Sequence, residues 1–416
     1  MIDVLYFMLF CASVYCTIRF FAYIIIANIH ALYRHEPTSR RPYYRPRISV
    51  VIPAHNEELS IVRTLDSVVA SNYPKSRLEI IVANDGSTDN TAHLVRSYIR
   101  SHPHTAKIQL ITQPNRGKAA ALNNVIQHHA SGQLVMVLDA DSLLDPYCIC
   151  NSVSYFTNPL VVATASNVNI VENGTVLGLA QRFEYLISHH MKRTNTALGM
   201  EYIIGGVGST FRRKILKQVR FYDTDTLTED IDLTLKIIVT GSKQHRVIFA
   251  VDAITHTQPV QTYGALVRQR LRWRYGRMQT FWKNRRLFLS VDKKYSRLLT
   301  CYLLPSTLIY EFTIIVEPLV IIGTLMYCIV TGTIGPFVSL TLLYILVSLS
   351  CIWASQHLNR REQIRLSLYA PLVFALTYVI VTVEYITAVQ SLRKLHKIPR
   401  SIGRHHTTWV SPQRAK

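Results

Sequence analysis

Acidic residues are scarce in this 416-residue chain: 25 Asp and Glu stand against 46 Lys and Arg, a formal net charge of +21. Cysteine is sparse as well. None of the seven cysteines stands in a paired C-x-x-C spacing, so they read as structural thiols rather than metal ligands. Internal repeats and low-complexity tracts are absent. The first apolar run has no basic n-region before it and no small-residue cleavage site after it, which argues for a retained anchor over a cleaved signal peptide. The histidine pairs His128-His129 and His405-His406 are adjacent rather than four apart, a poor spacing for a metal. Asn173-Gly174-Thr175 is a formal glycosylation sequon, silent on a cytoplasmic domain. What the chain has in quantity is apolar residues, 49%, which excludes a disordered tail and a simple basic DNA-binding module.

The basic residues gather in blocks 34–47, 268–297, 360–365 and 393–404, each beside an apolar run, as in cytoplasmic loops facing anionic lipid. Crossing a bilayer takes about 20 mostly apolar residues in a helix. Residues 2–29 reach that length, interrupted by Arg19, and 299–330, 337–354 and 367–390 are three further candidates. Glu311, Glu317 and Glu384 lie within these runs, where an acid needs a partner, a polar path or the interface. Flanking charge places 31–297 in the cytoplasm. Three full C-terminal crossings then put the basic tail 391–416 outside, against the same rule. Either one run is re-entrant, or the long first run supplies two elements, or the tail breaks the rule.

Between the membrane parts, strand and helix alternate. ISVVIPA (48–54), LEIIVAND (78–85), KIQLIT (107–112) and QLVMVLD (133–139) read as strands, with helices expected over 57–70, from Ser87, and over 118–130. Strands of this kind imply a parallel α/β sheet whose ligand binds at the strands' carboxyl ends. The segments that follow them are polar: PAHNEE, NDGSTD, NRGK and DADS. In an alternating run Asp139 and Asp141 project to one side and suit a hard divalent cation that grips a diphosphate. LTEDIDLTL (227–235) opens a helix with Thr228 as N-cap; its acids fit the helix dipole, and Asp230 fits a general base. VRQRLRWRYG (267–276) sets Gln269, Arg272, Trp273 and Gly276 on one helical face. That face offers a guanidinium to a leaving diphosphate and an indole to a sugar, with the remaining arginines directed at lipid headgroups. Nucleic-acid binding fails, because these arginines adjoin membrane segments and no nucleic-acid module accompanies them.

In order, VVIPAHNEE, NDGSTDNT, NRGKAAALN, LDADS, GGVGSTFRR (205–213), TED and Gln269-x-x-Arg272-Trp273 resemble the motifs of processive, membrane-embedded family 2 glycosyltransferases, relatives of cellulose, chitin and hyaluronan synthases. The nearest resemblance is to bacterial poly-β-1,6-N-acetylglucosamine synthases; it extends to the ending TTWVSPQR (407–414) and favours a cytoplasmic tail. It implies a GT-A-type, Rossmann-like nucleotide-sugar domain (48–260) combined with α-helical transmembrane segments in a multi-pass protein of the cytoplasmic membrane. Around that domain stand an N-terminal helix (1–30), a basic linker (31–47), interfacial helices with the QxxRW motif (261–298), C-terminal transmembrane helices (299–390) and a basic tail (391–416).

By the same resemblance Pro53, Ala54, Asn56 and Glu57, with Asp85, hold the uridine, Lys118 approaches the nucleotide, and Asp139 and Asp141 bind the diphosphate with Mg²⁺ or Mn²⁺. Asp230, beside Glu229, deprotonates the acceptor hydroxyl for inverting attack. Arg272, with Gln269, steadies the departing UDP, Trp273 stacks on the acceptor, and Gly205, Gly206 and Thr228 border its path. The implied partners are a UDP-sugar, the growing polysaccharide, the bilayer and a small accessory membrane protein. UDP-N-acetylglucosamine would feed a β-linked polymer that leaves between the C-terminal helices, near their glutamates or Trp353. The alternatives are a hyaluronan-, chitin- or glucan-type synthase with another UDP-sugar, and a catalytically silent nucleotide-sugar-binding subunit. This chain departs from the family pattern in three places: Asn84-Asp85 replaces Asp-Asp, RYGRMQ follows Trp273 in place of AQGG, and Gly205-Gly206-Val207 replaces an SGV-type segment.

Overall fold

A computed structural model describes residues 18–19, 21–29, 44–103, 106–315, 317–355 and 357–403. Most of the apolar run at 2–29, most of the basic linker and TTWVSPQR lie outside the described residues. After a helix over residues 21–29 (α1), strand β1 (Ile48–Ala54) leads to α2 (Ile61–Val69), β2 (Leu78–Asp85), α3 (Thr91–Ser101), β3 (Lys107–Gln113), α4 (Lys118–His128) and β4 (Leu134–Val137). Every residue of β1 and β2 is buried, because helices cover both faces. Val50 and Ile52 enter one core with Ile61 and Leu65 of α2, while Val51 enters the other with Leu122 and Ile126 of α4. A one-residue slip would exchange these faces, so the register is fixed, with Ile48 opposite Leu78 and Leu134.

The rest of the sheet domain and the helix that follows it comprise β5 (Ser142–Leu144), α5 (Cys148–Tyr155), β6 (Val161–Ile170), α6 (Val176–Ala197), β7 (Ser209–Arg212), α7 (Arg213–Gln218), α8 (Glu229–Val239), β8 (Arg246–Thr257) and α9 (Tyr263–Lys283). The eight strands form one sheet in the order β3-β2-β1-β4-β7-β6-β8-β5. The four strands expected from the sequence are parallel, as expected, and four further strands extend them into a mixed sheet. Only the β3-β2-β1-β4 block and the β6-β8 pair are parallel; β7 runs antiparallel to both β4 and β6, and β5 runs antiparallel to β8. The helix expected from Ser87 begins at Thr91, and the one expected from Glu57 begins at Ile61, because the polar segments before them are spent on loop contacts.

The C-terminal half contains α10 (Leu304–Thr313), α11 (Glu317–Thr331), α12 (Gly335–Trp353), α13 (Arg360–Tyr369), α14 (Val373–Leu392) and α15 (Ile398–Ser401). The apolar run at 299–330 is thus not one helix: a π-helical turn, Leu298–Leu303, precedes α10, and α11 starts afresh at Glu317. Among the described residues one helix is long and apolar enough to cross a membrane, Arg360–Leu392, formed by α13 and α14; a shorter apolar helix covers Phe337–Trp353. Val373, Leu376, Ile380 and Val383 of α14 pack with Phe183 and Leu186 of α6 and Leu266 of α9. After α14 the chain returns to the sheet domain, where the Gly403 N–H donates to Asp225 Oδ2 at 3.3 Å. The start of the tail therefore contacts the sheet domain.

Candidate active site

The loops at the carboxyl ends of β1, β2 and β3 are laced together. Asn56, at φ 56°, accepts the Thr88 N–H through Oδ1 at 2.8 Å, and its own N–H donates to Ser87 Oγ at 3.0 Å. The Glu57 N–H donates to Thr91 Oγ1 at 2.8 Å, and its carboxylate accepts from Ser60 Oγ at 2.9 Å. Gly86 holds φ +68°, and a Cβ there would lie 2.6 Å from Asn115 N, so the turn after β2 needs glycine twice over. Pro53 and Ala54 are buried in the strand end and present no exposed side chain. Asp85, expected at the uridine, is tied to the next loop. It is fully buried, with Oδ1 accepting from Gln113 Nε2 at 2.8 Å and Arg116 N at 3.0 Å, and Oδ2 accepting from Gly117 N at 2.8 Å. These three bonds tie the carboxylate to the end of β3 and to the backbone of the NRGK loop, which it shapes. Asn84, also buried, accepts from Ser87 N at 3.2 Å and closes the same turn.

That loop delivers Lys118 to the centre of the recess. Its Nζ donates to Asp139 Oδ1 at 2.6 Å and stands 3.6 Å from Glu229 Oε1. Burial alone would weaken the ammonium, but Asp139 and Glu229 reverse this and hold it protonated. Gly206 faces the same ion pair: a Cβ would lie 2.9 Å from Lys118 Nζ and 3.4 Å and 3.5 Å from the Asp139 oxygens. Four of the segments singled out in the sequence, NRGK, DADS, GGVG and TED, thereby meet around one ammonium, while Gly205 borders open space.

β4 ends at Val137, so the expected strand-like alternation of Asp139 and Asp141 is corrected: both occupy the following turn, closed by Ser142 N donating to Asp139 O at 3.1 Å. Asp141 Oδ1 accepts from Ser142 Oγ at 3.0 Å. Two carboxylates in one turn still fit a hard divalent cation. Among the described residues, the three acids with the tight spacing of a metal site lie elsewhere, at Asp223, Asp225 and Asp232. There Lys283 Nζ fills the centre, 2.5, 2.7 and 2.9 Å from the three.

Helix α8 starts at Glu229, with Thr228 in the N-cap position but making no capping bond through its hydroxyl. Thr228 is instead buried under α9, its Oγ1 3.4 Å from Thr280 Oγ1. Gly276 makes this approach possible, since a Cβ there would come within 2.7 Å of Thr228 Cγ2 and 3.0 Å of Thr228 N. Asp230, in the first turn of α8, has its pKa pushed up to about 6, first by burial and then by Glu229; Lys118 and Arg272 act in the opposite sense.

Helix α9 begins at an N-cap, Thr262, whose Oγ1 accepts from Ala265 N at 3.3 Å. On the face chosen from the sequence, Arg272 is exposed, Gln269 and Trp273 are half-buried and Gly276 is buried. The remaining arginines were expected at lipid headgroups, and the structure turns three of them inward. Arg270 Nη2 meets Glu184 of α6 at 2.7 Å and stacks its guanidinium 4.5 Å from the centroid of Trp273. Arg274 bonds Glu311 of α10 at 2.5 Å and Glu384 of α14 at 2.6 Å, and Arg277 pairs with Glu311. The spacing 270, 274, 277 marks one face of a helix and is legible in sequence; its acid partners, on three other helices, are not. Gln279 and the acids around Lys283 carried no sequence signal beyond their place in a helix or loop.

The sequence profile of glycosyltransferase-like family 2 matches residues 46–276. The chain is 34% identical over 231 residues to a poly-β-1,6-N-acetyl-D-glucosamine synthase of Staphylococcus epidermidis, covering 55% of this chain and 54% of that protein. It is 35% identical over 233 residues to the protein of the same name from Staphylococcus aureus strain COL, with the same coverage. The chain thus spans about half the length of the curated relatives it matches. A solved mannosyltransferase from Pyrobaculum calidifontis, in complex with GDP-Man and Mn²⁺, superimposes with TM-score 0.59 at 21% identity over 92% of this chain and 97% of that one. That likeness identifies the mixed sheet and its helices as a GT-A-like fold. With the profile covering more than half of its length, the chain belongs to glycosyltransferase-like family 2.

Proposed function

We propose that this chain is a membrane-bound, inverting glycosyltransferase that transfers N-acetylglucosamine from UDP-N-acetylglucosamine to a growing β-1,6-linked polysaccharide and passes it across the cytoplasmic membrane. The observation that carries the reading is the convergence on Lys118, whose ammonium ties Asp139 to Glu229 beside Gly206. It supports a diphosphate subsite and a base subsite sharing one recess. The acceptor hydroxyl gives its proton to Asp230 as its oxygen attacks the anomeric carbon. The bond from that carbon to the phosphate oxygen breaks, and its electron pair leaves with UDP. Lys118 and the exposed Arg272 supply positive charge where negative charge accumulates. A divalent cation bound by Asp139 and Asp141 would add to that neutralisation. Trp273, its plane fixed by Arg270, is assigned to stacking on the acceptor sugar. The lipid bilayer is assigned to α10 to α12 and α14, with the catalytic half and the tail on the cytoplasmic side.

The reading is tested by UDP release from the detergent-purified chain with Mg²⁺ or Mn²⁺, offering UDP-glucose, UDP-N-acetylglucosamine or UDP-glucuronate. Turnover with UDP-N-acetylglucosamine alone is expected. Turnover with another donor alone would move the chain to a glucan- or hyaluronan-type synthase, and silence with all three would remove the amino-sugar reading. A second expectation concerns the seat of α8. Gly276→Ala forces α9 away from Thr228 by several tenths of an ångström and drags Asp230 off line, so kcat falls by about tenfold or more while donor KM changes little. Wild-type kcat in that variant would show that the two helices adjust without cost.

A further inference from the structure

The loop that introduces Glu229 and Asp230, residues 223–228, contains no helix or strand, so side-chain anchors must hold it. One anchor is unexpected, because it leads to the end of the described chain. Gln279 of α9 is fully buried and uses both ends of its amide. Its Oε1 accepts from Leu227 N at 3.1 Å, and its Nε2 donates to Ser401 Oγ at 2.9 Å. The Ser401 hydroxyl in turn donates to Ile398 O at 2.8 Å, which fixes its lone pairs toward Gln279. Two residues on, the Gly403 N–H donates to Asp225 Oδ2, while Asp225 Oδ1 is held by Lys283. The segment therefore grips the loop twice, once through Gln279 and once directly, and Ile398 anchors it by burial.

We propose that Ile398–Gly403 is a positioning element of the transfer site: acting through Gln279, Ser401 and Gly403, it holds the 223–228 loop so that Glu229 and Asp230 face the recess. The proposal rests on the reading of Asp230 as the base. It adds a mechanical consequence. α14, the apolar helix, runs into this segment through residues 393–397, so a displacement of that helix reaches the base through the backbone and one buried amide. Gln279 touches no substrate in this scheme; it keeps Leu227 N–H paired, and without it that donor loses its partner and the loop relaxes.

The test uses the full chain in detergent, comparing wild type, Gln279→Leu, Ser401→Ala, the Gln279→Leu/Ser401→Ala double variant, Ser401→Thr and Asp230→Asn. UDP release is measured alongside amide hydrogen exchange over residues 223–230. The expected result is a kcat about tenfold lower in Gln279→Leu and severalfold lower in Ser401→Ala, with donor KM unchanged, because the base moves and the nucleotide loops do not. The double variant should be no slower than Gln279→Leu, since both changes break one connection, and Ser401→Thr, which keeps the hydroxyl, should restore kcat. Exchange at 223–230 should rise in both single variants and not in Ser401→Thr. Additive losses, an equal fall in kcat and rise in KM, or unchanged exchange would overturn the proposal. If Asp230→Asn keeps transferring sugar, the base reading fails, and the exchange data still decide whether the tail holds the loop.

Discussion

Asp230→Asn lowers UDP release by about 10²- to 10⁴-fold, the span contributed by a positioned general base. Donor KM stays within about twofold, because no nucleotide contact runs through this side chain. The wild-type pH profile carries the same information. A base works in its ionised form, and the Asp230 pKa is raised to about 6, so kcat/KM falls with unit slope as pH drops below that value and levels off above it. The residual activity of Asp230→Asn lacks this acidic limb. Stability separates loss of chemistry from loss of fold. The folded pKa lies above that of an ordinary aspartate, so the ionised carboxylate costs the fold stability as pH rises through about 6, and the amide removes that cost. Asp230→Asn therefore melts no lower than wild type at neutral pH. A variant that is inactive and also less stable would assign Asp230 to the scaffold of α8.

The parallel half of the sheet was legible because β1, β2 and β4 are mostly apolar, buried strands that end in polar segments, the pattern of a covered parallel sheet, and a helix separates each strand from the next. The antiparallel half was not. β7 is four residues, STFR, inside a segment that reads as a glycine-rich motif, and β5 is three residues, too short for any alternation to register. The recess itself was legible residue by residue in Lys118, Asp139, Gly206 and Glu229, yet nothing in the sequence said that they meet at one ammonium. Asp85 carries a contact the sequence did not announce: the backbone N–H groups of Arg116 and Gly117 make it a clamp of the next loop. Lys283 shows how an acid-poor chain places its acids, since three aspartates that look like a metal cage close around a lysine on the neighbouring helix, with Lys236 as a second cation on Asp223.

Glu311→Gln gives the other large effect, on stability. Arg270, Arg274 and Arg277 of α9 face Glu184, Glu311 and Glu384, three charges against three, and the Arg274 and Glu311 side chains are only 2% and 1% exposed. The buried Arg274 and the partly exposed Arg277 share Glu311, so neutralising it leaves one positive charge uncompensated, and removal of one partner from a buried ion pair costs about 3–5 kcal/mol. The expected outcome is a large drop in the unfolding midpoint of the detergent-purified protein. Arg277→Met/Glu311→Leu removes one charge of each sign and leaves Arg274 with Glu384, so it should recover much of that loss. The comparison also separates two roles for an acid in an apolar run. If Glu311 lines a sugar path, Glu311→Gln slows elongation with little change in stability, and the double variant is slower still. If it fastens α9 to α10 and α14, the single variant is unstable, and restoring charge balance brings back both the melting temperature and the alignment of Arg272 and Trp273, which ride on the same helix. The distances favour the fastening role, because the two short Arg274 contacts reach different apolar helices and tie the helix that bears QxxRW to both.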